Sequence, residues 1–240
     1  MKTSIIIPIY NEEKFLPTVL QQIRQLPFEK ELILVNDCSQ DKTYEILCQE
    51  EKEHPDTIVI HHIENYGKGF AIRSGLAKAT GEIIIIQDAD LEYNPEDIIK
   101  VINPIMEGKT KVSYGSRFLG TEKNMRLPNL VANKLLAWLV SLLYWHRLTD
   151  EATAYKAFHR DVIFSVRLEC QGFEFCPEIT AKVLRLNENI IEVPISYQAR
   201  TIEEGKKIGW KDFVIAVKTL LKYRFQPRKK FYNELGTRNI

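Results

Sequence analysis

What this 240-residue sequence lacks narrows what it can be. Its four cysteines (Cys38, Cys48, Cys170, Cys176) form no C-x-x-C pair and stand near no histidine at zinc-finger spacing. That pattern argues against a zinc module and reads as reduced thiols in a cytosolic protein. Net charge is only +1, so no overall field recruits nucleic acid and any basic function must be local. The apolar run after Met1 ends at Pro8 and Asn11-Glu12-Glu13, too soon for a secretory signal. A spanning helix needs roughly 20 apolar residues. The longest charge-free apolar run, Leu135 to Trp145, falls short, so no membrane span is expected. Gly67-Lys68-Gly69 lacks the leading glycine and the Ser or Thr of a P-loop, and Ile72 stands where G-x-G-x-x-G needs glycine. P-loop hydrolysis and dinucleotide binding are both disfavoured.

What is present is a regular alternation of strand and helix. Ser4 to Ile9, Leu32 to Val35, Thr57 to Ile60, Gly81 to Gln87 and Lys111 to Tyr114 are short and β-branched. Between them lie helical patterns: one opened by Asn11-Glu12-Glu13, one capped by Asp41 with Tyr44, Leu47 and Cys48 inward, one over Gly67 to Ala79, and one from Pro95 to Met106. Repeated βα units predict an α/β fold, a mostly parallel sheet flanked by helices. The second half predicts helices over 128–146, 177–186 and 210–224, with a strand over 190–195. Trp210, Phe213, Val214, Val217, Leu220 and Leu221 make one apolar stripe on the last helix, with Lys211, Lys218 and Lys222 on another face.

In parallel sheets ligands bind beyond the carboxyl ends of the strands. Tyr10-Asn11-Glu12, Asn36-Asp37 and Asp88-Ala89-Asp90 all fall there, so three polar clusters should meet in one crevice. The four isoleucines Ile83 to Ile86 run straight into Asp88, Asp90 and Glu92. Alternate residues of an extended chain share a face, so the three carboxylates can converge. A divalent cation relieves their repulsion, and hard oxygen ligands suit Mg2+ or Mn2+. Lys68, opening a helix whose N-terminus favours phosphate, is a further ligand candidate.

These residues resemble a family. Ser4-Ile5-Ile6-Ile7-Pro8-Ile9-Tyr10-Asn11-Glu12-Glu13, Val35-Asn36-Asp37-Cys38-Ser39 and Asp88-Ala89-Asp90 are similar to motifs of the inverting glycosyltransferase family 2. Asn65-Tyr66-Gly67-Lys68-Gly69, Gly115-Ser116-Arg117 and Glu192-Val193-Pro194-Ile195 point to its dolichyl-phosphate mannose and glucose synthase-like branch. The resemblance implies a Rossmann-like GT-A domain over residues 1–210, with an amphipathic basic helix and tail over 211–240. By that resemblance Pro8, Tyr10 and Glu12 line the base pocket, and Val35 and Asp37 hold base and ribose. Asp88 and Asp90 handle ribose and metal, Glu92 stands where relatives often carry a metal-binding Gln, and Ala89 permits close approach of the donor. Arg117, Arg126, Arg200 and Lys207 are candidate phosphate ligands. Residues 200–208 resemble the family's acceptor loop.

Several positions depart from the pattern. Asn36 and Cys38 replace the usual Asp and Gly. Asp150-Glu151-Ala152-Thr153-Ala154-Tyr155 lacks the Thr/Ser-Gly-Phe of many relatives, in the part that shapes the acceptor site. The expected activity is metal-dependent transfer of a hexose from a nucleotide-sugar to a polyprenyl phosphate. The chain would then sit peripherally on the cytoplasmic face of a membrane, or against a membrane-embedded partner subunit. If the acceptor is instead a sugar hydroxyl, Asp150 is the best placed base. A non-catalytic donor-binding subunit is a further reading. A sugar-phosphate nucleotidyltransferase is disfavoured, because its Gly-rich, Arg-containing N-terminal loop is missing.

Overall fold

The computed structural model describes residues 1–200 and 209–232. Lys207 and the last eight residues of the sequence therefore lie outside the described residues. Strands β1 (Thr3–Ile9), β2 (Lys30–Asn36), β3 (Thr57–His61) and β4 (Ile83–Ile86) alternate with helices α1 (Leu16–Arg24), α2 (Thr43–Glu53) and α3 (Lys68–Lys78). After α4 (Asp97–Met106) come β5 (Val112–Lys123), α5 (Leu127–Tyr144), β6 (Lys156–His159) and α6 (Arg160–Ser165). The described chain ends with α7 (Phe175–Arg185), β7 (Ile190–Gln198) and α8 (Trp210–Phe225).

The seven strands lie in the order β3-β2-β1-β4-β6-β5-β7. All neighbours are parallel except β6, which runs antiparallel to both β4 and β5. The sequence reading missed β6 and stopped β5 at Tyr114. β6 is four residues long and begins at a fully buried lysine, Lys156, which hides it from any search for apolar runs.

Both faces of the sheet are covered, as the β-branched runs require. Ile5, Ile7, Ile9, Ile83 and Ile85 pack with α1 and α4, whereas Ile6, Ile84 and Ile86 pack with α3, α5 and α7. Two details differ from expectation. Tyr44 is half exposed, with its ring 4.6 Å from that of His61. The stripe on α8 is split: Leu220 is buried while Trp210, Val214 and Leu221 face outward.

α8 is anchored by polar groups. The Tyr144 hydroxyl donates to the Leu220 carbonyl (2.7 Å), and the Tyr223 hydroxyl donates to Glu178 (2.9 Å), itself paired with buried Lys182 (2.5 Å). α5 buries Leu136, Ala137 and Val140. Its other face exposes Leu127, Val131, Leu135, Trp138 and Leu142, next to Trp145. The expectation of no spanning-length segment needs correction. α5 is long and apolar enough, by length and composition, to cross a membrane, because the polar Asn129, Asn133 and Lys134 do not interrupt the helix.

The entry to α3 is conformationally demanding. Gly67 has φ of +93°, and a Cβ there would stand 2.7 Å from the Gln171 carbonyl oxygen. Its N–H donates to Asp37 Oδ2 at 2.7 Å. Gly67→Ala should therefore destabilise the protein by about 1–3 kcal/mol, the usual cost of such a backbone held by a non-glycine residue. Denaturant unfolding of the variant beside the parent measures it; equal midpoints would refute the constraint.

Candidate active site

The cleft opens where the parallel strands end. Chain leaving β1 carries Tyr10 and Glu12, chain leaving β2 carries Asp37, and chain leaving β4 carries Asp88, Ala89 and Asp90. With Pro8, Lys68, Glu92, Arg117 and Arg200 they line one cavity of about 600 Å³. The convergence expected from strand-end logic is present. Val35 is not part of it: its side chain faces the other way, into the core beside Ile6 and Gly75. Arg126 is exposed at the start of α5 and is not among the cavity-lining residues.

Asp37 is held from three sides. Oδ1 accepts from Tyr66 N (3.0 Å) and meets His62 Nδ1 (2.7 Å), while Oδ2 accepts from Gly67 N. His62 is steadied in turn by Ser74 Oγ at 2.9 Å. The sequence reading assigned His62 no role, although it directly follows β3 at the same edge of the sheet.

The acidic cluster forms by a turn and not by continued strand geometry. β4 stops at Ile86, and Asp90 Oδ1 accepts from the N–H of Glu92 at 3.0 Å. Asp88 pairs with Lys68 at 2.5 Å. Burial disfavours charge on Lys68, but Asp88 outweighs it and holds the ammonium above its ordinary pKa. Arg200 reaches across the mouth: Nη2 meets Asp90 at 2.6 Å, Nη1 meets Glu12 at 3.1 Å, and its N–H donates to Glu92 at 2.7 Å. Glu92 also accepts from the Tyr197 hydroxyl at 2.9 Å. Both Glu92 oxygens thus tie down the end of β7, and the expected set of three ligands is not assembled. Among the described residues no group of three or more acidic, His or Cys side chains is arranged to hold a metal.

Asp88 and Asp90 remain as a pair of hard oxygen donors facing one cavity. Burial, and then the charge of Asp88, push the Asp90 carboxyl from the ordinary 3.8 to about 7. A carboxylate so disfavoured fits a site that a divalent cation would complete.

Arg117 and Asp150 are bound to each other. Arg117 Nε and Nη2 each lie 2.7 Å from an Asp150 oxygen, the Arg117 N–H donates to Oδ2 at 3.0 Å, and Asp150 is fully buried. Burial opposes charge on Arg117, but Asp150 overrides it and raises the pKa well above normal. Glu192 fixes the loop by accepting from the N–H groups of Thr149 (2.7 Å) and Asp150 (2.9 Å). The expectation that Asp150 could act as a base is corrected by this pairing, since Arg117 occupies both of its oxygens. Asp150 positions Arg117, which lines the cavity beneath the Tyr197 ring.

The raised Asp90 pKa has a stability consequence. Below pH 3.8 the group is neutral in folded and unfolded chains alike. Between there and about 7 only the unfolded chain ionises, so stability falls as pH rises through that window. In chelator-treated protein, Asp90→Asn should melt higher than the parent at pH 8, with the gap closing toward pH 4. The variant should also lose any Mn2+-induced rise in melting temperature. A less stable variant at pH 8, or one still stabilised by Mn2+, would contradict this reading of the cluster.

Known proteins carry the same pattern. A family model described as glycosyl transferase family 2 matches residues 4–165. The UDP-N-acetylglucosamine–dolichyl-phosphate N-acetylglucosaminyltransferase of Methanococcus voltae is 32% identical over 232 residues, covering 87% of this chain and 92% of that protein. The undecaprenyl-phosphate mannosyltransferase of Micrococcus luteus is 29% identical, covering 87% and 88%. Among solved structures, glucosyl-3-phosphoglycerate synthase from Mycobacterium tuberculosis, in complex with Mn2+, UDP and phosphoglyceric acid, superimposes with a TM-score of 0.72 at 21% identity. That alignment covers 94% of this chain and 79% of the other, and the same enzyme has been solved with Mg2+ and UDP. At that identity the likeness speaks to the fold, which is GT-A. The strand-end acids, the order of the motifs and the family match agree: this chain belongs to glycosyl transferase family 2.

Proposed function

We propose that this chain transfers a hexose, with inversion, from a nucleotide-sugar to a polyprenyl phosphate at the cytoplasmic face of a membrane. The observation that carries the reading is the pairing of Asp150 with Arg117. The carboxylate best placed to take a proton is closed, and Arg117, Arg200 and Lys68, each paired with a carboxylate here, are the cations lining the cavity. A phosphate monoester is largely ionised near neutrality, its second pKa being about 6, so it needs no strong base. Relatives named for dolichyl-phosphate and undecaprenyl-phosphate transfer support the same acceptor class.

On this reading Pro8, Tyr10 and Glu12 border the base, Asp37 holds the ribose, and Ala89 leaves room for the donor. Asp88 and Asp90 would hold Mg2+ or Mn2+, which supplies positive charge against the leaving diphosphate. Of these two, Arg200 holds Asp90, together with Glu12, while Lys68 holds Asp88. A divalent cation bound at Asp90 would compete with Arg200 for that carboxylate, and Arg200, once released, would be a cation available to the acceptor phosphate; Lys207 belongs to the same role. The outward apolar face of α5, with Trp138 62% exposed, and the outward Trp210, Val214 and Phe225 of α8 suit insertion into a membrane surface, with Lys218 and Lys222 toward lipid phosphates.

One assay tests acceptor and membrane together. The protein should transfer hexose to a polyprenyl phosphate, both as a short-chain form in solution and as a long-chain form in anionic vesicles. Trp138→Ser with Leu142→Ser should keep the first reaction and lose most of the second. Transfer to a sugar hydroxyl but to neither lipid phosphate would overturn the reading. Equal activity of parent and variant on vesicles would remove the membrane role of α5.

A further inference from the structure

Away from its charged mouth the cavity is bordered by α7 and the chain from Asp150 to Tyr155. Glu151 lines the cavity there, yet it is fully buried. Neither of its carboxylate oxygens makes a hydrogen bond of good geometry among the described residues, although the Lys156 ammonium and the Thr180 hydroxyl lie near enough to favour its charged form. A buried carboxylate in that position has lost its hydration without well-formed hydrogen bonds to replace it. The obvious partners are engaged elsewhere. Lys156 Nζ donates to the main-chain oxygen of Glu151 at 2.6 Å and sits 3.7 Å from the centre of the Tyr114 ring. The Thr180 hydroxyl is shared with the Tyr114 hydroxyl (3.1 Å) and the Lys156 ammonium (3.4 Å).

We propose that Glu151 is a specificity residue for the donor sugar, its carboxylate accepting hydrogen bonds from neighbouring O–H or N–H groups of the transferred ring. The inference rests on the nucleotide-sugar reading above and extends it to a particular contact. Charge decides among the pieces of the substrates. The diphosphate and a phosphate acceptor are anions, which a buried carboxylate repels. The base and ribose are neutral but belong with Pro8, Tyr10, Glu12 and Asp37, at the ends of β1 and β2. The sugar is the remaining neutral piece, and it carries several adjacent donors. Glu151 lines the same cavity as Lys68 and the strand-end acids Asp88 and Asp90. Ala152 and Ala154, which also line the cavity, leave room for a ring beside it. Burial raises the Glu151 pKa, with Lys156 opposing. In either protonation state the carboxyl keeps acceptor capacity that the protein does not fill.

The test uses Glu151→Gln and Glu151→Ala in the full chain, with Mn2+ present. Calorimetry reads the affinity for UDP-glucose, UDP-N-acetylglucosamine and GDP-mannose, and for bare UDP and GDP. The nucleotide-sugar that the parent binds best should weaken roughly 10- to 100-fold in both variants, the usual effect of losing hydrogen bonds to a charged group. The matching bare diphosphate should bind as before, and melting temperatures should not fall in Glu151→Gln. Equal loss for sugar and bare diphosphate, no loss at all, or a loss confined to kcat would overturn the inference. So would a parent that binds the bare diphosphates and gains nothing from any of the three sugars. A parent that binds none of the five compounds would overturn the transferase reading itself.

Discussion

One guanidinium holds the mouth of the cleft together. Arg200 bridges Glu12 beyond β1 and Asp90 beyond β4, while its main chain is tied to Glu92. Glu12 and Asp90 come from separate βα units, so nothing local pairs them; the sheet brings them together and leaves them to repel. In a low-dielectric cleft such repulsion is strong; burial first, and then the charges of Asp88 and Glu92, raise the pKa of Asp90. The cluster therefore needs positive charge, and the chain supplies it twice, through Arg200 and through Lys68 on Asp88.

The rest of the fold keeps this arrangement rigid. Isoleucines alternate between two apolar layers, so β1 and β4 are fixed on both faces up to the residue where the polar chain begins. Buried polar groups then set the second tier: His62 and Gly67 aim Asp37, and Glu192 fixes the loop that aims Asp150 at Arg117. Each carboxylate with full partners serves to position another group. Glu151, whose oxygens lack a well-formed hydrogen bond among the described residues, is the exception that suggests a ligand.

The strands, their parallel order and the meeting of three polar clusters were legible because they depend on periodicity and on which strand end faces the cleft. Asp88, Asp90, Asp37 and Glu12 could be found that way. β6 could not, because its buried Lys156 is satisfied by the nearby Glu151 carbonyl and by the ring of Tyr114, which is far from it in sequence. Val35 was misplaced for a simpler reason, since alternation turns it inward even at a strand end. Asp150 looked like a base while its partner was unseen; only the tertiary fold brings Arg117 onto it from 33 residues away. The same holds for α8, where an apolar stripe does not reveal which half will be covered.

The competition for Asp90 is the centre of the account, and metal affinity tests it most directly. Mn2+ binding to chelator-stripped protein, without nucleotide, can be read by electron paramagnetic resonance for the parent and for Arg200→Gln. If Arg200 and the divalent ion compete for that carboxylate, removing the guanidinium should tighten Mn2+ binding several-fold. Unchanged or weaker binding in Arg200→Gln would contradict it.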